Sequence, residues 1–386
     1  IWSFPWMQLG SALVAATLPL GLTPIVVPEL KTITIGGAVS GCSLESASFR
    51  VGGFHDTCLA YEVITARGEV LRCSPTEDPL LFQMMHGSFG TLGVLSELVF
   101  RLAPARPYVH VTYEHHGSLA AMQAAIHRRF EAQDVDFMDG ILHAPDRHAL
   151  ALGRFVDAAP YTNTYDWTKV YYESTAERTE DWLATPDYYF RYDRGVTNVH
   201  PKSAILRLLA GRLGSSARVL RLADRVPRLV LPKRRPDVTV DLFIPSSRVP
   251  DFFRWYDQAI GFYPLWCVPY RRVRDYEWID PRFFEGVEDR LFLDLAIYGL
   301  AQPRGRNLYR EIEEALARVN GLKTLISHNY YTPEELWRIC NKPNWLAIKR
   351  RTDPENLFRD LYSKTCRAPL GLDDWDDPDV RALGAR

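Results

Sequence analysis

No two cysteines stand in a C-x-x-C spacing, and the six present (Cys42, Cys58, Cys73, Cys267, Cys340, Cys366) are scattered over 386 residues. That excludes the common zinc ribbons and a small disulfide scaffold, so the thiols read as reduced and the protein as cytosolic. An excess of charge is also missing. Lys and Arg number 46 against 47 Asp and Glu, a formal net charge of -1, which removes any whole-chain electrostatic case for binding nucleic acid. Neither GxxxxGK[ST] nor a GxGxxG turn occurs, so the usual P-loop and Rossmann phosphate sites are excluded. Nor is there an internal repeat or a low-complexity tract. Charge is absent altogether from Ile1 to Pro28, a run long enough to span a bilayer. Pro19, Pro24 and Pro28 interrupt that run, Gly10 and Gly21 loosen it, and no basic cluster precedes it as a signal peptide requires. The expectation is a buried amphipathic helix near 7–18, then an extended connection.

What is there is a globular composition, 47% hydrophobic and 12% aromatic, with length for two domains. "TIGGAVSGCSLES" (34–46) carries three glycines and no lysine or arginine. Glycines this dense mean tight turns or a close approach to the backbone, and bare amides can cradle phosphate without a side-chain cation. Pattern alone leaves both readings open. "CLAYEVITARGEVLRCSP" reads as two strands joined at Arg67-Gly68. "DPLLFQMMHGSFGTLGVLSELVFRLAPARP" reads as a short helix, a second glycine loop and a strand closed by Pro104 and Pro107. From Tyr108 the texture changes to a strand, a helix near 118–132, an aromatic-rich region, strands at 238–244 and 291–298, and then helices. The boundaries expected are 1–105, 106–340 and 341–386.

Between Lys202 and Arg235 ten basic residues (Lys202, Arg207, Arg212, Arg218, Arg221, Arg225, Arg228, Lys233, Arg234, Arg235) face one acid, Asp224. This is either a basic amphipathic helix lying on an anionic membrane or a solvated helix whose arginine stems cover apolar core. "DDWDDPD" near the C-terminus reads as a solvated tail. In "LFLDLAIY", Leu291, Leu293, Leu295 and Ile297 share one strand face and Phe292, Asp294, Ala296 and Tyr298 the other, which puts a carboxyl among aromatics where its pKa would rise. Asp294 is therefore a candidate acid or a satisfied structural carboxylate. Arg191 with Tyr189 in "DYYFRYDRG", and His328 with Tyr330 in "SHNYY", are further polar groups in aromatic company.

"VVPELKTITIGGAVSGCSLESASFRVGGFHDTCLAYEVITARGEVLRCSP" followed by "GSFGTLGVLSELVFRLAP" resembles the second half of the FAD-binding (PCMH-type) domain of vanillyl-alcohol-oxidase-type flavoproteins, and within them the delta-24 sterol reductase (Diminuto-like) group. The resemblance continues through "DYYFRYDRG", "YPLWCVPY", "LFLDLAIYG" and "YYTPEELW", over roughly 18–365, and "KRRTDPENLF" resembles the segment that returns to the FAD domain. It implies an α+β fold: that half-domain, plus an α+β substrate or cap domain with an antiparallel sheet. The family's first phosphate loop has no counterpart here and is expected upstream of Ile1.

By the resemblance, Thr34, Ile35, Gly36, Gly37, Ala38, Val39, Ser40, Gly41, Cys42, Ser43, Leu44, Glu45 and Ser46 would wrap the FAD diphosphate and ribityl chain. Gly52, Gly53 and Asp56 would make the next turn, Glu62 and Val63 would lie near the adenosine, and Gly90, Gly93 and Val94 would close the pocket. Asp56 has a second reading as a turn residue bonding its own backbone. The implied activity is reduction of a carbon–carbon double bond in an apolar, sterol-like substrate by hydride transfer at flavin N5, with NADPH as reductant and Asp294, Arg191 and Tyr330 as candidate catalytic groups. Two alternatives stay open: an alditol or aldonolactone oxidase or dehydrogenase of the same fold, and a non-catalytic remnant. The partners expected are a small apolar molecule and no nucleic acid. The location expected is cytoplasmic, peripheral on a membrane if the basic segment binds one.

Overall fold

The computed structural model describes residues 2–5, 10–166, 168–193, 195, 198, 237–372 and 377–384. The basic segment 202–235 lies outside the described residues. The strands are β1 (Trp2–Pro5), β2 (Leu22–Pro24), β3 (Cys58–Ile64), β4 (Val70–Cys73), β5 (Val94–Phe100), β6 (Leu102–Pro104), β7 (Tyr108–His116), β8 (Phe137–Ala144), β9 (Arg147–Val156), β10 (Glu180–Ala184), β11 (Val238–Pro245), β12 (Leu265–Arg271), β13 (Leu291–Leu300) and β14 (Leu322–Lys323).

Four strands form an antiparallel sheet in the order β1-β5-β3-β4. β3 and β4 are the hairpin read from sequence. Its turn closes through Gly68 N–H to the Thr65 carbonyl at 3.0 Å, with Gly68 at φ +80°. Tyr61 and Val63 of β3, Leu98 and Phe100 of β5, Val39 and Phe82 from short helices, and Trp345 and Ile348 from the late helix Lys342–Thr352 make one core. The last helices thus pack where the first hundred residues fold.

The second sheet has eight strands in the order β10-β7-β9-β8-β12-β13-β11-β14, with every pairing antiparallel. β13 is covered on both faces, which explains its nearly unbroken apolar run. Leu291, Leu293, Leu295 and Ile297 pack on Ile126, Phe252, Tyr256, Ile312 and Leu316. Those residues belong to the helices Leu119–Ala132, Val249–Ala259 and Leu308–Ala317, whose apolar positions recur at helical spacing. The opposite face, with Phe292, Ala296 and Tyr298, packs with Trp266, Tyr270 and Leu44 from the glycine segment. The α+β architecture with its large antiparallel sheet is the one the sequence implied.

Two expectations change. The uncharged start includes strand β1, with Trp2 opposite Phe100; the described helix there is Gly10–Thr17, residues 7–9 of the expected one lying outside the described residues. A strand of four residues is too short to show an alternation in the sequence. The described end of the acidic stretch, 377–379, is anchored: Lys342 Nζ lies 3.2 Å from Asp377 and 2.6 Å from Asp379, and Asp377 is buried. No helix among the described residues is long and apolar enough to cross a membrane, and all six cysteines are unpaired.

Candidate active site

The first glycine segment is helical at its core rather than a loose loop. Thr34 caps the helix Ile35–Ser40, its Oγ1 accepting the Gly37 N–H at 3.1 Å. The chain then reverses through Cys42 at φ +54°, and Ser43 N–H returns to the Ala38 carbonyl at 2.9 Å. The second glycine loop docks directly on the first, Phe89 N–H donating to the Ser40 carbonyl at 3.1 Å. Trp345 Nε1 holds that loop at Thr91 Oγ1, 3.1 Å away.

Between the glycine segment and the large sheet runs a cleft of about 520 Å³, within the range of small-molecule sites. Gly37, Gly41, Cys42, Ser43 and Leu44 make one wall, and Asp241, Phe243, Trp266, Asp294 and Tyr298 of β11, β12 and β13 make the other, with Glu29 beside them. At Gly37 and Gly41 the wall is bare backbone. A Cβ at Gly37 would come within 2.9 Å of Thr34 Oγ1, and one at Gly41 within 3.0 Å of the Gly37 carbonyl. A smaller apolar cavity of about 90 Å³ shares Gly41, Cys42, Phe243 and Thr324 with the cleft and is lined by Tyr270, Tyr276, Trp278, Phe284 and Phe292.

Asp294 is 1% exposed, and its Oδ1 has no hydrogen-bond partner among the described residues. Burial first, then the neighbouring Asp241 and Glu29, push its carboxyl well above the usual range. Burial also lifts Asp241 to about 6, against hydrogen bonds from Tyr298 and Thr324 that favour its charged form. Glu29 is raised to about 8 by burial and then by Glu45 and Asp241. No lysine or arginine lines this cleft among the described residues.

The other candidates separate from Asp294. The Arg191 side chain is fully buried, 3.2 Å from Glu45 and 3.1 Å from Asp139, with its guanidinium over the Tyr188 and Tyr192 rings. It cross-links the end of the glycine segment to β8 and does not line the cleft. Asp139 in turn takes Trp266 Nε1 at 2.9 Å and the Tyr192 hydroxyl at 2.7 Å. The Tyr189 hydroxyl pairs with Thr23. Tyr330 lies beyond the sheet edge, its N–H 3.0 Å from Glu313, in a cluster with Tyr309 and His328.

The expected cofactor residues also divide. Ile35, Ala38, Val39 and Val63 are core. Glu45 and Ser46 face Arg191 and the Tyr188 hydroxyl, so these two serve the junction rather than a diphosphate. Glu62 accepts from Ser96 across the β3–β5 pair. Val63 fills the space at Gly93, where a Cβ would meet Val63 Cγ1 at 2.7 Å, and Val94 opens β5. Gly52 at φ +82° lets Asp56 close on the Gly53 N–H at 3.0 Å, and the hydroxyls of Tyr276 and Tyr270 donate to the same carboxylate at 2.9 and 3.2 Å. Asp56 is thus a turn residue that also ties this turn to β12. Gly90 at φ +69° stands beside the Lys364 ammonium. Sequence reasoning missed Glu29, Asp241, Trp266 and Lys364. Asp241 carried a usable signal, an aspartate inside the apolar strand "VTVDLFIP" like that in "LFLDLAIY".

A profile of the FAD binding domain family matches residues 4–74. The Delta(24)-sterol reductase of Homo sapiens is 26% identical over 385 residues, covering 94% of this chain and 73% of its own length. That of Arabidopsis thaliana is 23% identical, covering 94% and 72%. Cytokinin dehydrogenase 6 of Oryza sativa subsp. japonica is 24% identical, covering 91% and 70%. Together with a cleft bordered by the glycine segment, these matches support an FAD-dependent oxidoreductase whose first part is similar to the FAD binding domain family. Within that class the chain is similar over nearly its whole length to the Delta(24)-sterol reductases.

Proposed function

We propose that this protein reduces an isolated carbon–carbon double bond of an apolar, sterol-like substrate, with NADPH as the reductant. The observation that carries this reading is a buried carboxyl, Asp294, whose Oδ1 has no partner among the described residues, in a cleft whose opposite wall includes the backbone of Gly37 and Gly41. In this reading FAD lies along that wall: a flat ring needs an approach without Cβ atoms, which Gly37 and Gly41 offer, and the Lys364 ammonium beside the second glycine loop is a counter-charge for its diphosphate. When bound, FAD supplies the hydride chemistry. The chain's own residues do the rest. An alkene without a carbonyl gives nothing to polarise, so the carbon that does not receive hydride must take a proton from a positioned acid. Burial, then Asp241 and Glu29, raise the Asp294 pKa well above the usual carboxylate range, which favours the protonated form the step needs. The aromatic cavity beside it, with Tyr270, Trp278, Phe284 and Phe292, takes hydrocarbon and keeps water out.

This reading keeps the divisions near residues 105 and 340. It also gives the basic segment 202–235 a task, holding the protein on an anionic bilayer where an apolar substrate resides; sedimentation with vesicles containing anionic lipid, lost when those residues are neutralised, tests that part. The main test uses the full-length protein with FAD under anaerobic conditions. NADPH should bleach the flavin absorbance, and a sterol with a side-chain double bond should restore it. Bleaching by an alditol without NADPH would overturn the reading in favour of a sugar-alcohol oxidase.

A further inference from the structure

Antiparallel pairing of β11 with β13 sets Phe243 opposite Asp294 and Asp241 opposite Ala296. Asp241 and Asp294 are therefore diagonal neighbours on one sheet face, where Cα atoms stand roughly 7–8 Å apart, within reach of direct contact or one bridging water. Both line the cleft, with Glu29 and Tyr298, and no cation lines it among the described residues. Arg191 is held by Glu45 and Asp139, and Lys323, which lines the adjoining cavity, is held by Glu313 and the His328 carbonyl. Two carboxylates on one poorly hydrated face cannot both ionise. The protein distinguishes them by their partners. Asp241 accepts the Tyr298 hydroxyl and the Thr324 hydroxyl, which suit a carboxylate. Asp294 has a backbone hydrogen bond at Leu242 but keeps Oδ1 buried and without a partner among the described residues, as a carboxylic acid awaiting an acceptor does.

We propose that Asp241 and Asp294 work as one proton-sharing pair, in which Asp294 gives up the proton inside the cleft and Asp241 is the positioning residue that keeps it loaded. This rests on the reduction reading above and names the acid of that same site. In the step itself the Asp294 O–H bond breaks and a C–H bond forms at one alkene carbon, while the hydride and its electron pair, supplied by the reduced flavin of the loaded enzyme, arrive at the other. Asp294 is left as a carboxylate beside Asp241. That repulsion draws a replacement proton from solvent past Glu29, which is half-buried on the same cleft. The titratable and hydroxyl groups that line the cleft beside the pair include Glu29, Tyr298, Thr324 and the Cys42 thiol, which burial keeps neutral. None is a cation that could neutralise a second negative charge.

Infrared titration of the protein from about pH 5 to about pH 9 tests the pair without catalysis. Carboxylic-acid C=O absorption should persist above the ordinary carboxylate range, lose its Asp294 component in Asp294→Asn while that of Glu29 remains, and have that component titrate at lower pH in Asp241→Asn, because the repelling neighbour is gone. Tyr298→Phe, which leaves the packing intact, should move the midpoint as well. A band unaffected by Asp294→Asn, or a midpoint unmoved in both other variants, overturns the proposal. In the loaded enzyme, Asp294→Asn should lower kcat for double-bond reduction by about 10²- to 10⁴-fold while NADPH still bleaches the flavin at its normal rate. Equal loss in both half-reactions would also overturn it. If the native enzyme reduces no sterol while the infrared behaviour holds, it is the reduction reading that fails, and the proton-sharing pair survives without that task.

Discussion

Lys349 reaches Thr91 across 258 residues of chain, its ammonium donating to the Thr91 carbonyl at 3.0 Å. The side chain is fully buried, and the same nitrogen lies 2.6 Å from Asp353 and donates to the Phe358 carbonyl. The second glycine loop therefore takes its shape from a helix folded near the end of the chain.

Lys349→Met tests that dependence. It fits the space but leaves a buried carboxylate and two carbonyls without their donor, which costs about 3–5 kcal/mol. Thermal denaturation should show the loss, and flavin should dissociate more readily before global unfolding. A variant as stable as the parent would mean that the ammonium is replaceable by water.

Gly93 separates a packing role from a cofactor role. Its φ is +146°, and a Cβ added there would stand 2.7 Å from Val63 Cγ1, so alanine strains the backbone and crowds a core residue. Gly93→Ala should destabilise the flavin-free protein by about 1–3 kcal/mol. Gly68→Ala, with a similar left-handed backbone but open space around it, should cost less. Equal urea midpoints for the two would argue against the contact with Val63.

Much of this was legible because short-range signals carried it. The β3–β4 hairpin follows from Arg67-Gly68, the helix Leu119–Ala132 from its apolar spacing, and the two faces of β13 from strict alternation. Asp294 was found the same way, since one strand is enough to see a carboxyl among aromatics. Long-range pairings left no such trace. That Arg191 would be enclosed by Glu45 and Asp139, 146 and 52 positions earlier by their numbers (191 − 45 and 191 − 139), depends on how the eight-stranded sheet closes under the glycine segment. Glu45 and Ser46 looked like cofactor ligands because they continue a glycine motif, but the chain has already turned toward β8 there. Asp241 was passed over because its meaning lies in its diagonal to Asp294, a matter of register between strands fifty residues apart.

Arg191 itself should be intolerant of lysine. Its guanidinium spans two carboxylates and stacks on tyrosine rings, geometry that a point-charge ammonium cannot reproduce. Arg191→Met should cost about 3–5 kcal/mol by stranding Glu45 and Asp139, and Arg191→Lys should recover only part of it. Near-ultraviolet dichroism should change too, since Trp266 is oriented by Asp139. Full rescue by lysine would show that only the charge matters.

Glu29 makes stability depend on pH in a direction opposite to that of most carboxylates. Its pKa rises from 4.5 to about 8 on folding, so between those values the folded chain holds a proton that the unfolded chain has released. Stability must then fall as pH climbs through that window, because the folded state binds more protons. Asp241, raised from 3.8 to about 6, adds to the fall at the acid end of the range. His143 works the other way: lowered from 6.5 to about 4 by burial and then by Arg147, it adds stability as pH rises over that interval. On the alkaline side Glu29 acts in the same direction as Asp294, whose pKa is also raised, so a substitution at Glu29 is needed to isolate it. Glu29→Gln should come nearest to the parent at about pH 4, below the unfolded value of 4.5, and exceed it increasingly toward about pH 9 in urea denaturation of the flavin-free protein. Parallel stability curves for the two across that span would mean that Glu29 is solvated enough to ionise freely, and that the cleft is wetter than its lining implies.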